Sequence, residues 1–289
     1  MSVRQRPEWV DDRLFPFESR FVDVAGHTVH YIDEGTGPVL LFLHGNPTWS
    51  FVYRDVIKQL RTEFRCIAVD YPGFGLSWAT SGYRYLPAEH AQVIVGVVDA
   101  LALSGATLVV HDWGGPIGLA ALAQRRAAFD RVVVANTWAW PTEAVAAQVM
   151  SRVVGSPAGR FLIRRFNLFV QAMIPAGHRF RKPCPTEMAH YQRALADPAR
   201  REASGVFPRE ITAGREFLAG VAATLPVTGA LPALLIWGTG DIAFGDAELR
   251  RWREVFADHH VAAIEGAGHF VQSDAPAEFA AAIRDWFQR

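Results

Sequence analysis

The sequence predicts an α/β fold: a mostly parallel central sheet flanked by helices, with an inserted helical cap. Three observations predict it. Short apolar runs recur with glycine, proline, aspartate or asparagine at their ends; helix-like segments separate several of them; and one long stretch in the second half carries helical patches without a strand signal.

Taken in order, the runs at 39–43, 66–69, 108–110, 132–135 and 234–237 read as buried strands. A helix-like segment at 89–103 follows the start signal of Pro87, and another at 115–126 follows Asp112. Such alternation implies a parallel sheet covered on both faces. From about 137 to 226 the rhythm changes to arginine-rich helical patches, and strand signals resume near 233 and at 261–264. The expected organisation is therefore a first core segment 1–138, a helical cap 139–226 and a second core segment 227–289. No internal repeat or low-complexity tract interrupts it.

With 289 residues, half of them hydrophobic, the chain can build a full-sized core. Lysine plus arginine equal aspartate plus glutamate at 29 each, so no broad field favours nucleic acid or anionic lipid. That balance suits a small neutral substrate. Cys66 and Cys184 give neither a metal spacing nor a disulfide framework, which fits a reducing cytoplasm. The stretch 1–14 carries Arg4, Arg6, Asp11 and Asp12 where a secretory leader would be apolar. The uncharged stretch 217–238 is long enough to suggest a membrane span, but Pro226, Gly229 and Pro232 break it. The reading is of a cytoplasmic protein without a membrane or nucleic-acid partner.

The chemistry concentrates in the string Leu108-Val109-Val110-His111-Asp112-Trp113-Gly114-Gly115-Pro116, a strand running at once into a turn and a helix. Such a corner matches the nucleophile elbow of α/β-hydrolases, where small residues let strand and helix pack closely and backbone N–H groups face the nucleophile. Asp112 stands where a serine hydrolase has serine. Taken alone, Asp112 serves equally well as a helix N-cap.

Further along, Glu265-Gly266-Ala267-Gly268-His269 puts a histidine on a glycine-flexed loop after the last candidate strand, third in the order nucleophile, acid, base. Among the other histidines, His259 and His260 enter a strand, His27 and His30 lie in an N-terminal hairpin region, and His44 and His111 flank site strands. His90, His178 and His190 read as solvated. Asp241, on the turn after Leu234-Leu235-Ile236-Trp237-Gly238, is the candidate orienting acid; Asp246 is better placed to start a helix at 247–256. The alternative acid position after the preceding strand reads Asn136-Thr137-Trp138, with no carboxylate. Upstream, Leu43-His44-Gly45-Asn46-Pro47 follows a strand where the fold places its second oxyanion donor, and Asp70-Tyr71-Pro72-Gly73-Phe74-Gly75 reads as a structural turn.

Together, His44-Gly45-Asn46-Pro47, His111-Asp112-Trp113-Gly114-Gly115, Asp241 and Gly268-His269 resemble the haloalkane dehalogenases of the α/β-hydrolase superfamily. The resemblance spans nearly the whole core and is weak in the cap. It implies a cofactor-free, metal-free enzyme in which Asp112 displaces halide from carbon and His269, oriented by Asp241, activates water against the resulting ester. It further implies a halide held by the side chains of Asn46 and Trp113, whose backbone N–H groups also form the oxyanion hole, in the subgroup with an aspartate acid and an asparagine-tryptophan halide pair. A cap tryptophan is not offered as second donor, since Trp237 is the next after Trp140. The expected partners are a small neutral halogenated substrate, water and the halide product, and the subgroup's tendency to self-associate implies a homo-oligomer.

Rival readings have weaker support. An epoxide hydrolase of the same fold relies on paired cap tyrosines, and this cap has Tyr191 alone; a haloacetate dehalogenase carries arginine at the position of Trp113. Serine esterases need a G-x-S-x-G that is missing. Luciferases resembling this family use a glutamate acid. A catalytically silent binding module does not need the three retained residues. Phe161, Phe166, Phe169 and Met173 are expected in the core or lining an apolar pocket.

Overall fold

The computed structural model describes residues 5–289; Arg4 and the three residues before it, part of the N-terminal segment read for a leader, lie outside them. The first half of the chain runs β1 (Arg20–Val24), β2 (His27–Glu34), β3 (Val39–Leu43), α1 (Arg54–Leu60), β4 (Arg65–Val69), α2 (Pro87–Ala100), β5 (Ala106–His111), α3 (Gly114–Gln124) and β6 (Phe129–Ala135). After six helices come β7 (Ala233–Gly238), α10 (Asp246–Val255), β8 (His259–Ile264), α11 (Val271–Asp274) and α12 (Pro276–Phe287). This is the α/β-hydrolase architecture: one eight-stranded sheet in the order β1-β2-β4-β3-β5-β6-β7-β8, antiparallel at β1, β2 and β4 and parallel from β4 onward.

Alternation along the strands builds the two faces. Leu41, Leu43, Leu108, Val110, Val132 and Val134 point to one side, which α2 and α3 cover. Leu40, Phe42, Val109, Val133 and Ile236 point to the other, which α1 and α12 cover. Both faces being dry, β5 and β7 have no exposed residue, and their stretches 108–110 and 233–237 are apolar without polar alternation.

Strand order reverses between β3 and β5. From β3 the chain moves outward to β4, then returns to lay β5 on the opposite side of β3, with Leu43 level with Val110. The loops leaving these two strands therefore diverge and open a crevice beyond their carboxyl ends, the usual ligand position of an open α/β sheet.

Six helices fill the interval between β6 and β7: α4 (Val145–Val154), α5 (Pro157–Phe166), α6 (Leu168–Ala176), α7 (Pro185–Ala194), α8 (Arg201–Ala213) and α9 (Arg215–Thr228). The helix α9 runs through Pro226 close to its end. Among the described residues no helix is long and apolar enough to cross a membrane. An ion pair ties this insertion to the core: Arg54 of α1, 1% exposed, donates from Nη2 to Oε1 of Glu187 in α7 at 2.5 Å. Glu187 also takes two bonds from Arg181 and the N–H of Cys184. Burial pushes its carboxyl up, but these donors and the charge of Arg54 outweigh it and hold the group well below the usual range.

Two expectations fail here. His90, His178 and His190 are buried, not solvated. His90 bonds Tyr83 and packs against Tyr71 and Phe207, His178 bonds the Ile174 carbonyl and Ser273, and His190 bonds the Thr186 carbonyl and the Asp11 N–H while stacking on Phe51. Ring packing and local acceptors offset their desolvation, which lowers all three imidazoles below the ordinary histidine range. Second, Phe161 and Phe166 occupy neither core nor pocket: they are 62% and 54% exposed. Only Ile163 of α5 turns inward.

The buried pair yields a stability prediction. Glu187→Ala leaves the Arg54 guanidinium without its principal partner and should cost about 3–5 kcal/mol, read as a lowered urea midpoint. Replacing both partners, Arg54→Met with Glu187→Leu, should recover most of that loss. An equal loss in the double variant would mean that packing, not the stranded charge, is responsible.

Candidate active site

The crevice between β3 and β5 is lined by the two loops that leave those strands. At the end of β5, Asp112 adopts φ 50° and the chain turns straight into α3. Aspartate tolerates the left-handed region better than most residues, and its strain is held by neighbours. The N–H of Asp112 bonds the Asn136 carbonyl at 3.2 Å, and its own carbonyl accepts from Thr137 Oγ1. Close packing makes two glycines obligatory: a Cβ at Gly115 would fall on Thr137, and one at Gly45 would fall on the Asp112 carboxylate itself.

That approach lets the loop after β3 reach the carboxylate. The backbone N–H of Asn46 donates to Asp112 Oδ1 at 2.7 Å, and the N–H of Trp113 lies near enough to pull the same carboxyl down. Burial pushes the Asp112 carboxyl up; His269 and the two N–H groups oppose this and leave it raised above the ordinary aspartate value.

His269 arrives from the loop after β8. Its Nδ1 lies 3.0 Å from Asp241 Oδ2, and its Nε2 lies 3.9 Å from Asp112 Oδ2, beyond direct hydrogen bonding. The structure thus brings Asp112, His269 and Asp241 together. Burial lowers the His269 imidazole, but the charge and hydrogen bond of Asp241, followed by the charge of Asp112, more than reverse this and raise it. Asp241 is pushed up by burial and pulled further down by His269 and the Ala243 N–H, so it stays ionised.

Three supporting residues were not singled out in the sequence. Asn136 Nδ2 donates to Asp241 Oδ2 at 2.9 Å, on the oxygen that His269 uses, while its amide also exchanges two bonds with the Gly238 backbone. His111 Nε2 bonds the His269 carbonyl at 2.7 Å. Asp274 takes the Gly268 N–H and the N–H groups of Arg179, Phe180 and Arg181, which fixes the histidine loop against the insertion. His111 and Asn136 had a visible signal, since each adjoins a strand end already marked as a site.

Above the carboxylate, Trp113 stacks on Phe207 of α8 at 5.1 Å and meets Trp138 edge-on at 4.8 Å. Among the described residues its indole N–H has no protein acceptor. Asn46 Nδ2 spends one hydrogen on the Ser204 carbonyl of α8 at 3.1 Å and keeps its second. Helix α8 therefore touches both side chains, through residues one turn apart. Phe244 stacks on Trp138 and packs against His269, closing an aromatic wall. Tyr191 packs against Phe51. Among the described residues no group of three or more His, Cys, Asp or Glu side chains is arranged to hold a metal.

With the geometry in place, comparison with known proteins gives a consistent result. A family model described as alpha/beta hydrolase fold matches residues 38–276. The chain is 46% identical to haloalkane dehalogenase 2 of Mycobacterium tuberculosis, over 99% of this chain and 100% of that one. It is 32% identical to a cis-3-alkyl-4-alkyloxetan-2-one decarboxylase of Shewanella oneidensis, over 92% of this chain and 87% of the relative. Among solved structures it is similar to haloalkane dehalogenase DbeA from Bradyrhizobium elkani, with a TM-score of 0.86 at 26% identity, covering 94% of this chain and 98% of that one.

The electrostatics of the site can be read directly. The His269 imidazole should titrate above the ordinary histidine range in the free protein, followed by NMR. Removing the Asp241 charge in Asp241→Asn should move that titration downward, because burial is then opposed by Asp112 alone. An unmoved titration would show that the 3.0 Å contact is not what raises it.

Proposed function

The chain belongs to the haloalkane dehalogenase family within the α/β-hydrolase superfamily, and from that premise we propose that it is a hydrolase converting haloalkanes to alcohol and halide through an ester on Asp112. The observation that carries this reading is a carboxylate at the elbow, held by the Asn46 N–H at 2.7 Å with His269 Nε2 3.9 Å away. Such a carboxylate needs no base to attack an sp3 carbon. The carbon–halogen bond breaks with its electron pair, and halide leaves.

We assign the departing halide to the indole N–H of Trp113 and the free amide hydrogen of Asn46. Charge gathers on halogen in a site with little water, where fixed donors are most effective. On this reading the chain falls in the subgroup with an aspartate acid and an asparagine-tryptophan pair. The second half uses His269. Its Nε2 removes a proton from water, the hydroxide adds to the Asp112 ester carbonyl, and the oxyanion forms where the Asn46 and Trp113 N–H groups already point. Each such donor is typically worth about 3–4 kcal/mol of barrier. Collapse releases the alcohol, regenerates the carboxylate, and leaves a proton on His269 that passes to solvent.

A second reading is favoured by one observation, the 32% identity to an oxetan-2-one decarboxylase. A strained lactone presents the same problem of an sp3 carbon bonded to a leaving group that departs as an anion. Alkene and carbon dioxide release from a 3,4-dialkyl oxetan-2-one, measured beside halide release from 1-bromobutane, ranks the two substrates.

The decisive variants separate the two half-reactions. Asp112→Ala should abolish halide release. His269→Phe should release about one halide per enzyme and then stall, with the alkyl group found by mass spectrometry on the peptide containing Asp112. Trp113→Phe should slow the first half by about 100-fold, in the range of a lost charge-stabilising donor. Inactive His269→Phe enzyme with no adduct would rule out the ester route.

A further inference from the structure

We propose that the outward side of α4 and α5 is a docking surface for an anionic phospholipid bilayer. The two helices pack against each other and both rest on α8, so their free sides form one face. That face is apolar: Val145, Val149 and Val153 repeat every four residues along α4, and Phe161, Leu162 and Phe166 continue it on α5. Val145 is 74% exposed and Val153 63%. Only Ser151 and Ile163 are buried in the two helices, so large side chains are spent on water where a globular surface gains nothing from them.

Charge selects the occupant. The chain is neutral in total, but from Ala144 to Thr186 it contains no carboxylate, against six arginines and Lys182. Arg160 is taken by Glu202 of α8. Arg152, Arg164 and Arg165 are exposed and have no carboxylate partner among the described residues. A basic face studded with Val, Leu and Phe is the pattern of a helix lying at a headgroup–acyl boundary, where the apolar knobs enter the acyl region and guanidinium groups meet lipid phosphates. A second copy of the chain fits worse. A two-fold interface would bring both sets of unpaired arginines face to face with no carboxylate between them. This surface is separate from the reaction and stands whichever substrate the enzyme takes.

The test is sedimentation of the full chain with vesicles of phosphatidylcholine alone or containing about one third phosphatidylglycerol. Binding is expected to the anionic vesicles only, and to weaken as sodium chloride rises from about 50 mM to about 0.5 M. Val153→Ser with Phe161→Ser should weaken it by about tenfold. Arg164→Gln and Arg165→Gln should each weaken it by roughly fivefold. All four positions are exposed, so an unchanged urea midpoint confirms that folding is intact; should the serine pair fail to fold, the arginine variants carry the test. Absence of sedimentation with anionic vesicles overturns the proposal, as does binding that none of these substitutions alters. A dimer seen by light scattering, dissociated by the serine pair while vesicles stay unbound, overturns it in favour of self-association.

Discussion

The proposed reaction depends on a carboxylate that is dry, charged and aimed at once. Burial pushes the Asp112 carboxyl up, and it stays raised above the ordinary aspartate value. The charge of His269 and the N–H groups of Asn46 and Trp113 oppose that rise, at the start of a helix whose dipole has the right sign. The price is a backbone at φ 50° and a neighbour, Gly45, that cannot carry a side chain. In the proposed reaction the same two donors hold the ground-state oxygen and later the oxyanion. Little reorganisation is then needed when charge returns to that oxygen, which is where preorganised dipoles outperform water.

The sheet makes this arrangement rigid. Asn46 and Asp112 sit one residue or more beyond strands paired side by side at Leu43 and Val110, so their separation is set by strand spacing. Asp241 and His269 extend from β7 and β8, adjacent in the same sheet. Asn136, at the end of β6, bridges the two groups: its carbonyl holds the Asp112 N–H, and its side chain holds Asp241. One residue therefore couples the elbow to the acid.

How much of this could be read from the sequence depends on whether the determinant was local. The fold and its strands were legible because a parallel sheet buried on both faces leaves apolar runs such as 108–110 in β5 and 233–237 in β7. Asp112, His269 and Asp241 each stand next to a strand end on a short turn, so they too were visible, and the structure brings them within a few ångströms of one another. Asn136 was noticed as the lack of a carboxylate; its amide contributes as a donor, which only the distance to Asp241 reveals. Ser204 and Phe207 touch Asn46 and Trp113 across more than ninety residues of intervening chain, and no local pattern marks them. The three buried histidines were misread for a related reason: the carbonyls that His178 and His190 use are one turn away, but the rings that bury all three come from elsewhere in the fold. Phe161 and Phe166 show the converse: phenylalanine in a helix predicts burial, and in α5 the helix turns the other way.

The imidazole has a demand of its own, because a base must be neutral to take a proton, yet the free site holds His269 between two carboxylates that favour its charged form. In the proposed reaction the first step relieves this. Alkylation turns Asp112 from an anion into an ester, so one of the two raising charges disappears just before the base is needed. Burial, which already pulls the imidazole downward, then has only Asp241 against it. Asp241 still orients the ring through Nδ1 at 3.0 Å, while the 3.9 Å gap at Nε2 is no longer an attraction between opposite charges. The covalent intermediate thereby prepares the base that destroys it.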